Sequence, residues 1–428
     1  MLNFILFLSM TIPAFSIEQK VEKMRWNDLE VVWIQDERFP VYDIVFYFSE
    51  GSLGDHPKRK GESKMMFSLL TAGTRRFNHK EISDNLEFFG VSQGVNITHE
   101  YSSFFLSGLT KDIIPTVKLI CHLFKDSTFP KQELKKEKRR IKNSLEHLVS
   151  SHGSLASRAF REISLDNTPF SYPVSGKIRD LPKINRAGLK EKLQYFNTRV
   201  KKRIYLTGPP EVLLIKSIVS EECGWKGTGK IVRNTTFTSN AKKTPGQGDS
   251  MPTIHLVTVP KANQAQIRIG RHLEKSMYED ISLLALTSSF LAGGSSSRLM
   301  QEARSKRGLT YGIYAFAAGQ KDFGRAGIFS STRNESVDEL LSVIKATLDM
   351  TGQGKINKSD LKRSKAYLSG SHFFQFERTD AYSEQLIYLD HVGKNYSEFY
   401  NFQNKFKKNK KEKIFLKKKK KNIYFHIY

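Results

Sequence analysis

The chain has 428 residues, enough for two or more domains with full cores, and its 39% hydrophobic and 26% charged content is ordinary for a soluble globular protein. No apolar run approaches the ~20 residues of a membrane-spanning helix, so no transmembrane anchor is expected. The net charge of +26 is far from ordinary, but eleven Lys and one Glu in residues 405–421 supply +10 of it. No aromatic-interleaved basic motif accompanies the rest, so nucleic acid is not an expected partner.

Residues 1–16 read as a secretory signal, with a short apolar core at 5–12 and a small-x-small cleavage site at Ala14-Phe15-Ser16. The absence of Lys and Arg there argues against a mitochondrial presequence. The first domain, 17–224, is predicted to carry strands at 29–34 and 42–49, joined through Pro40. Helices at 62–71 and 79–89 follow, then strands at 94–98 and 102–109, and a helix over 115–124. A heavily charged helix at 132–149 and a helical stretch at 156–162 come next. Residues 225–252, polar and rich in Gly and Pro, form the predicted linker. In the second domain, 253–404, strands at 253–259 and 264–270 are joined through Pro260. Helices at 281–291 and 297–305, strands at 311–317 and 324–331, and a helix at 337–349 complete the set, with a further helix at 396–406. A Lys-rich tail, 405–428, is low in complexity. The order strand-strand-helix-helix-strand-strand-helix occurs twice, which predicts an α+β fold of two similar domains. Cys121 and Cys223 are the only cysteines; nothing in the sequence pairs them, and a chain this long does not need a disulfide.

The most informative stretch is Gly293-Gly294-Ser295-Ser296-Ser297-Arg298-Leu299 followed by Arg304-Ser305-Lys306-Arg307-Gly308-Leu309-Thr310-Tyr311. Arg304 closes a helix and Tyr311 opens a strand, on either side of a Gly-Leu turn. A guanidinium and a phenol so placed can both grip a peptide carbonyl. The run GG-x-x-S-R-L-x-x-x-x-R-x-x-x-G-L-x-Y resembles the C-terminal half of insulinase/pitrilysin-type zinc peptidases, most closely the branch of mitochondrial processing peptidase and its bacterial relatives. The resemblance covers residues 25–400. It implies two domains, each a mostly antiparallel sheet covered by helices, facing each other across a chamber. It also implies that Arg304 and Tyr311 bind substrate backbone.

Zinc peptidases of that family carry H-x-x-E-H on a helix, where two His one turn apart hold the metal and the Glu polarises the attacking water. Registered on Gly73-Thr74, this chain has Lys64 and Ser68 at the two His positions and Phe67 at the Glu position. An ammonium, a hydroxyl and a phenyl ring do not hold Zn²⁺ at neutral pH. The third ligand position falls on Ser144 or Leu145, with Glu146 beside it as a solvated helix carboxylate. His79, His99, His147 and His152 lack metal-binding spacing and read as structural or surface residues.

The resemblance therefore implies a zinc-free subunit of a heterodimeric peptidase. The chain itself holds no cofactor, and the zinc belongs to a partner of the same family that bears H-x-x-E-H and hydrolyses peptide bonds. Export through the signal places it in the periplasm if the source is bacterial. The competing readings are a non-enzymatic scaffold, like the core subunits of respiratory complexes that share the fold, and a degraded copy whose Lys-rich ending arose from a frameshift in an adenine-rich gene. The sequence names neither the peptide nor the partner.

Overall fold

The structure, a computed structural model, describes residues 20–166, 168–225, 254–273, 275–402 and 404–405. The expected signal (1–16), nearly all of the linker and almost the whole Lys-rich tail lie outside the described residues.

The first half opens with a hairpin of β1 (Val21–Trp26) and β2 (Leu29–Gln35). Asn27 turns it at φ 54, a left-handed conformation that Asn tolerates better than most residues. Then come β3 (Val41–Phe48), α1 (Glu62–Ser68), α2 (His79–Phe88), β4 (Ser92–Ile97) and β5 (Ser102–Leu109). They are followed by α3 (Ile113–Asp126), α4 (Lys131–Glu146), α5 (His152–Ser164), α6 (Arg186–Thr198), β6 (Lys202–Gly208) and α7 (Lys216–Glu221). The six strands form one sheet in the order β1-β2-β6-β3-β5-β4. Only the β2–β6 pair is parallel. One face carries Phe46, Phe48 and Phe104 into a core with Phe67 of α1, Phe124 of α3 and Phe196 of α6. Cys121 on α3 and Cys223 beyond α7 are disulfide-bonded, a pairing the sequence left open. Both cysteines are buried, so the bridge ties α7 to the same core.

The second half contains β7 (Gln264–Leu273), α8 (Lys275–Tyr278), α9 (Ile281–Ala292), a π-helix at Met300–Ser305, β8 (Ile313–Gly319) and β9 (Gly324–Arg333). It ends with α10 (Val337–Gly352), α11 (Lys358–Glu377), α12 (Thr379–Val392) and α13 (Ser397–Tyr400). Its sheet has three strands among the described residues, ordered β7-β9-β8, with Ile267, Ile269, Ile313 and Ile328 packed on Leu286, Phe290 and Ile344. The fold class is the expected one: two α+β halves built on the same order of elements.

Two expected elements differ. Residues 254–259 carry no strand pairing, although their pattern matches one. Their counterpart β2 is held between β1 and β6, and the described part of the second sheet supplies no equivalent of either. Ile254 and Leu256 are accordingly 63% and 80% exposed. The helix expected at 396–406 is interrupted: α13 covers Ser397–Tyr400, Asn401 is a turn, and Phe402, Asn404 and Lys405 are helical again.

The halves are joined by a reciprocal exchange of helices. The first half's α5 packs on β7 and β9, with Phe160 against Phe329 and Ser157 accepting from Arg268. The second half's α12 packs on β3 and β6, where Tyr205 donates to Asp390 and the Tyr47 hydroxyl meets His391. Exchange of this kind buries each half's spare helix on the other's sheet, so neither half completes its packing alone.

The disulfide closes a loop of 102 residues, which constrains the unfolded chain strongly. Replacing both cysteines by Ser should lower unfolding free energy by about 3 kcal/mol. Urea denaturation of the oxidised wild type and the double variant measures this, and coincident midpoints would show that the bridge contributes nothing.

Candidate functional site

Helix α1 starts where Asp55 receives hydrogen bonds from the backbone N–H of Gly61 (2.8 Å) and Ser63 (3.0 Å) and from the Ser63 hydroxyl (2.5 Å). A carboxylate there satisfies orphan amides of the first turn and complements the helix dipole. Glu62 is buried and is held by the Arg59 guanidinium at 2.6 Å and by the backbone N–H of His56 at 2.8 Å. Neither acid is therefore a spare ligand. Lys64 and Ser68 lie one turn apart and half-buried. Phe67 is 2% exposed and packs edge-on against Phe48, Phe196 and Phe124, with centroids 5.5, 5.3 and 6.3 Å away. The position that the resemblance gives to a catalytic carboxylate is thus a core aromatic, and its burial stabilises the fold by about 2–3 kcal/mol.

The third ligand position is equally unsuited. Ser144 and Glu146 are exposed near the end of α4, and Glu146 pairs with Lys142 at 3.6 Å. The four candidate histidines stay apart from one another. His79 is exposed and contacts the Thr71 carbonyl; His147 is exposed; His152 borders a cavity of about 250 Å³ between α5 and residues 256–266. His99 is buried, with Nε2 on the Tyr172 carbonyl at 2.8 Å and its ring beside Phe170 and Phe323. Among the described residues no three His, Cys, Asp or Glu side chains come together as a metal-ligand group.

The Arg304–Tyr311 turn is built differently. The chain becomes helical at Arg298 and widens into the π-helix, where the Lys306 amide reaches back to Gln301 (3.0 Å). Wide turns of this kind commonly mark functional sites. Gly308, at φ +61, ends the helix: its amide bonds the Arg304 carbonyl and the Leu309 amide bonds that of Ala303, both at 2.9 Å. The Gly308 bond is the five-to-one closure of an αL cap, with the Leu309 bond spanning one residue more on each side, and it needs a residue without Cβ strain at its left-handed position. Leu309 then plugs into the core. The Thr310 hydroxyl donates to the Ser331 carbonyl on β9 (2.7 Å), and Ile313 is fully buried. Anchored on both sides, Tyr311 projects into solvent at 84% exposure. The Arg304 guanidinium lies over its ring at 4.7 Å.

Glu302 decides what is free in this turn. It pairs with Arg298 (3.3 Å), Lys306 (2.8 Å) and Arg307 (2.9 Å), and hydrogen bonds from Lys306 and Arg307 hold its carboxyl below the usual range. Arg304 takes no share of that carboxylate. Among the described residues it has the Tyr311 ring and no anionic partner, so its five donors and the phenol hydroxyl are not spent on a carboxylate there. The structure brings these two predicted residues together. The acid that keeps the neighbouring cations occupied was not among the residues singled out from sequence; its i+4 spacing to Lys306 and from Arg298 was the available signal.

Residues 30–176 match the model of insulinase (peptidase family M16), and residues 229–368 match the peptidase M16 inactive domain. The chain belongs to the M16 peptidase family. It is 22% identical to the zinc protease YmxG of Bacillus subtilis over 338 residues, covering 79% of this chain and 80% of that one. It is 21% identical to the Helicobacter pylori non-peptidase homolog YmxG, covering 80% and 77%. The fold superposes on a peptidase M16 inactive domain from Pseudomonas fluorescens with a TM-score of 0.81 at 19% identity, over 95% of this chain and 97% of that one. Within this M16 chain, Lys64, Phe67 and Ser68 of α1 offer no zinc-ligand set.

Burial lowers the His99 pKa below its ordinary value of 6.5, because the imidazolium would lose its hydration. The unfolded chain then takes up a proton at higher pH than the folded one. The stability His99 contributes is present above the ordinary value and lost as pH falls through it. A His99→Gln variant should therefore lose less Tm than wild type between about pH 7.5 and about pH 5. Parallel melting curves settle this; an equal drop in both proteins would rule out His99 as the titrating group.

Proposed function

We propose that this chain is the non-catalytic subunit of a two-chain M16 peptidase, binding substrate for a zinc-bearing partner of the same family. The observation that carries this reading is the Arg304–Tyr311 turn, whose guanidinium is kept clear of Glu302 and stacked on an 84% exposed phenol. Packing does not require that exposure. In the proposed complex Arg304 holds or polarises a substrate carbonyl, and the Tyr311 hydroxyl donates to the oxygen that develops charge as the tetrahedral intermediate forms. The partner supplies H-x-x-E-H, the third Glu and the zinc-activated water. Lys64, Phe67 and Ser68 support the division of labour, and the name of the Helicobacter pylori relative supports a non-peptidase role. The Cys121–Cys223 bridge supports export into an oxidising compartment, periplasmic in a bacterial source. A scaffold of the same fold is the second reading; it gives the exposed turn no task.

Purified chain alone should contain no stoichiometric zinc and cleave no peptide. Co-expressed with an M16 relative bearing H-x-x-E-H, it should elute as an equimolar complex that does both. Tightly bound zinc in the lone chain, or two separate monomer peaks at micromolar concentration, would contradict the proposal.

Tyr311→Phe removes a hydroxyl and keeps the ring under Arg304. It should leave Tm and assembly unchanged and lower kcat/KM of the complex by about 30- to 1000-fold, the range for an oxyanion donor. Arg304→Ala should cost a comparable factor. A double variant with wild-type kcat/KM would remove the role of the pair and favour the scaffold.

A further inference from the structure

Where α5 meets the second sheet, Arg161, Arg268 and Arg325 have no carboxylate partner among the described residues. Arg268 on β7 is satisfied by protein oxygens: it donates to the Ser157 hydroxyl (3.1 Å) and to the carbonyls of Ile267 (2.9 Å), Ser330 (3.2 Å) and Gly153 (2.9 Å). Arg161 on α5 and Arg325 on the central strand β9 are not. Both are half-buried, and among the described residues neither has a hydrogen-bond or ion-pair partner for its guanidinium. The neighbouring acid Glu162 is taken by Arg158 (3.0 Å) and Lys177 (3.1 Å). Glu100 spends its oxygens on the β8–β9 turn and His391. Arg325 lies over the rings of Phe160 (6.0 Å) and Phe316 (5.9 Å). Burial lowers both arginines' pKa, and the Arg161 charge lowers that of Arg325 further, to about 10. Arg325 lies against Phe160, the residue next to Arg161 on α5, so two half-buried guanidiniums without a carboxylate partner among the described residues form a site short of an anion.

The site also borders β8, the strand that begins two residues after Tyr311. In the β8–β9 register Tyr314 faces Phe329, Phe316 faces Gly327 and Ala318 faces Arg325. Alternate residues share a face, so a line of aromatic rings runs from the 65% exposed Tyr314 through Phe316 to Arg325. From Tyr314 to Ala318 this spans ~14 Å, about four residues of extended peptide.

We propose that Arg161 and Arg325 form a carboxylate subsite that takes an Asp or Glu side chain of the extended peptide held at Arg304 and Tyr311. The subsite rests on the peptide-holding role proposed above, and one experiment separates the two. Two labelled unstructured peptides, one with Glu where the other has Gln, are titrated by fluorescence anisotropy into the full chain at fixed ionic strength. The Glu peptide should bind about tenfold tighter. Arg161→Gln and Arg325→Gln should each bring that ratio close to one, and Arg325→Lys, which keeps the charge and stem, should leave an intermediate ratio. Arg333→Gln removes the same charge from the exposed end of β9 and should leave the ratio intact. Tyr311→Phe should weaken both peptides equally. A ratio unmoved by Arg161→Gln and Arg325→Gln, in variants that melt like wild type, overturns the subsite and leaves the Arg304–Tyr311 reading standing. A ratio that depends on Arg325 while Tyr311→Phe weakens neither peptide overturns the peptide-holding role on which the proposal rests. Equal binding of both peptides, with millimolar inorganic phosphate competing alike against each, would assign the arginines to a free anion and overturn the proposal.

Discussion

Glu100 is 4% exposed, and its carboxylate is claimed by the other half of the chain: the backbone amides of Lys321 (3.2 Å) and Asp322 (3.0 Å) in the β8–β9 turn, and the His391 ring (3.1 Å) on α12. His391 in turn meets the Tyr47 hydroxyl of β3 at 2.9 Å. A buried carboxylate without donors is among the costliest groups a fold can hold, so this geometry exists only while the two halves are docked. It ties the β8–β9 turn of the second half to the first half. The β8–β9 turn fixes the hairpin, the hairpin fixes the start of β8, and the start of β8 aims Tyr311. A second carboxylate makes the same demand a few residues away: Asp390 accepts from Tyr205 (2.8 Å) and pairs with Arg203 (2.9 Å). The Tyr396 hydroxyl also donates to it, and that bond and burial together hold the phenol protonated. Apolar packing of Phe170 on Phe323 closes the junction on its other side.

Polar docking and reciprocal helix exchange answer different questions. Exchange of α5 and α12 supplies buried area, which favours association of the halves in any of several sliding positions. Glu100 and Asp390 accept only one of those positions, because a shift of one residue would leave a buried charge without its donors. That division explains why the interface needs costly groups at all. It also explains the contrast between the two sheets. The first is complete with six strands and carries a polar docking face on β3 and β6, whereas the described part of the second has three and leaves residues 254–259 extended and exposed.

Much of this was legible in the sequence where a segment's own residues decide its structure. Alternation marked β4 and β5, and the helix expected at 79–89 is α2. Gly308 marked the turn that brings Arg304 under Tyr311. What was not legible depends on distant partners. β6, not among the strands expected from the sequence, begins with Lys202 and Arg203; in the fold Lys202 is 2% exposed and donates to the Asn197 and Val200 carbonyls, while Arg203 reaches Glu30 on β2. The disulfide joins residues that α3 and α7 bring together, and spacing carries no trace of that. Residues 254–259 fail in the opposite sense, since a strand pattern without a neighbouring edge remains an extended segment.

The two halves of the candidate site also sit on opposite sides of a general trade. A metal site needs side chains held with unpaired lone pairs facing a cavity, an arrangement that costs stability until the ion arrives. In α1 that cost is absent: Phe67 fills core volume and Glu62 and Asp55 are fully engaged, so the helix is explained by packing alone. The Arg304–Tyr311 turn is not explained that way. A phenol at 84% exposure buries little, and a guanidinium stacked above it gains about 0.5–1 kcal/mol at an exposed site, no more than one lost side-chain rotamer set costs. A left-handed glycine cap, a buried Thr310 and a three-way claim on Glu302 hold that pair in one place. Local order held around groups that contribute little to the fold is what the proposed peptide-holding role would require.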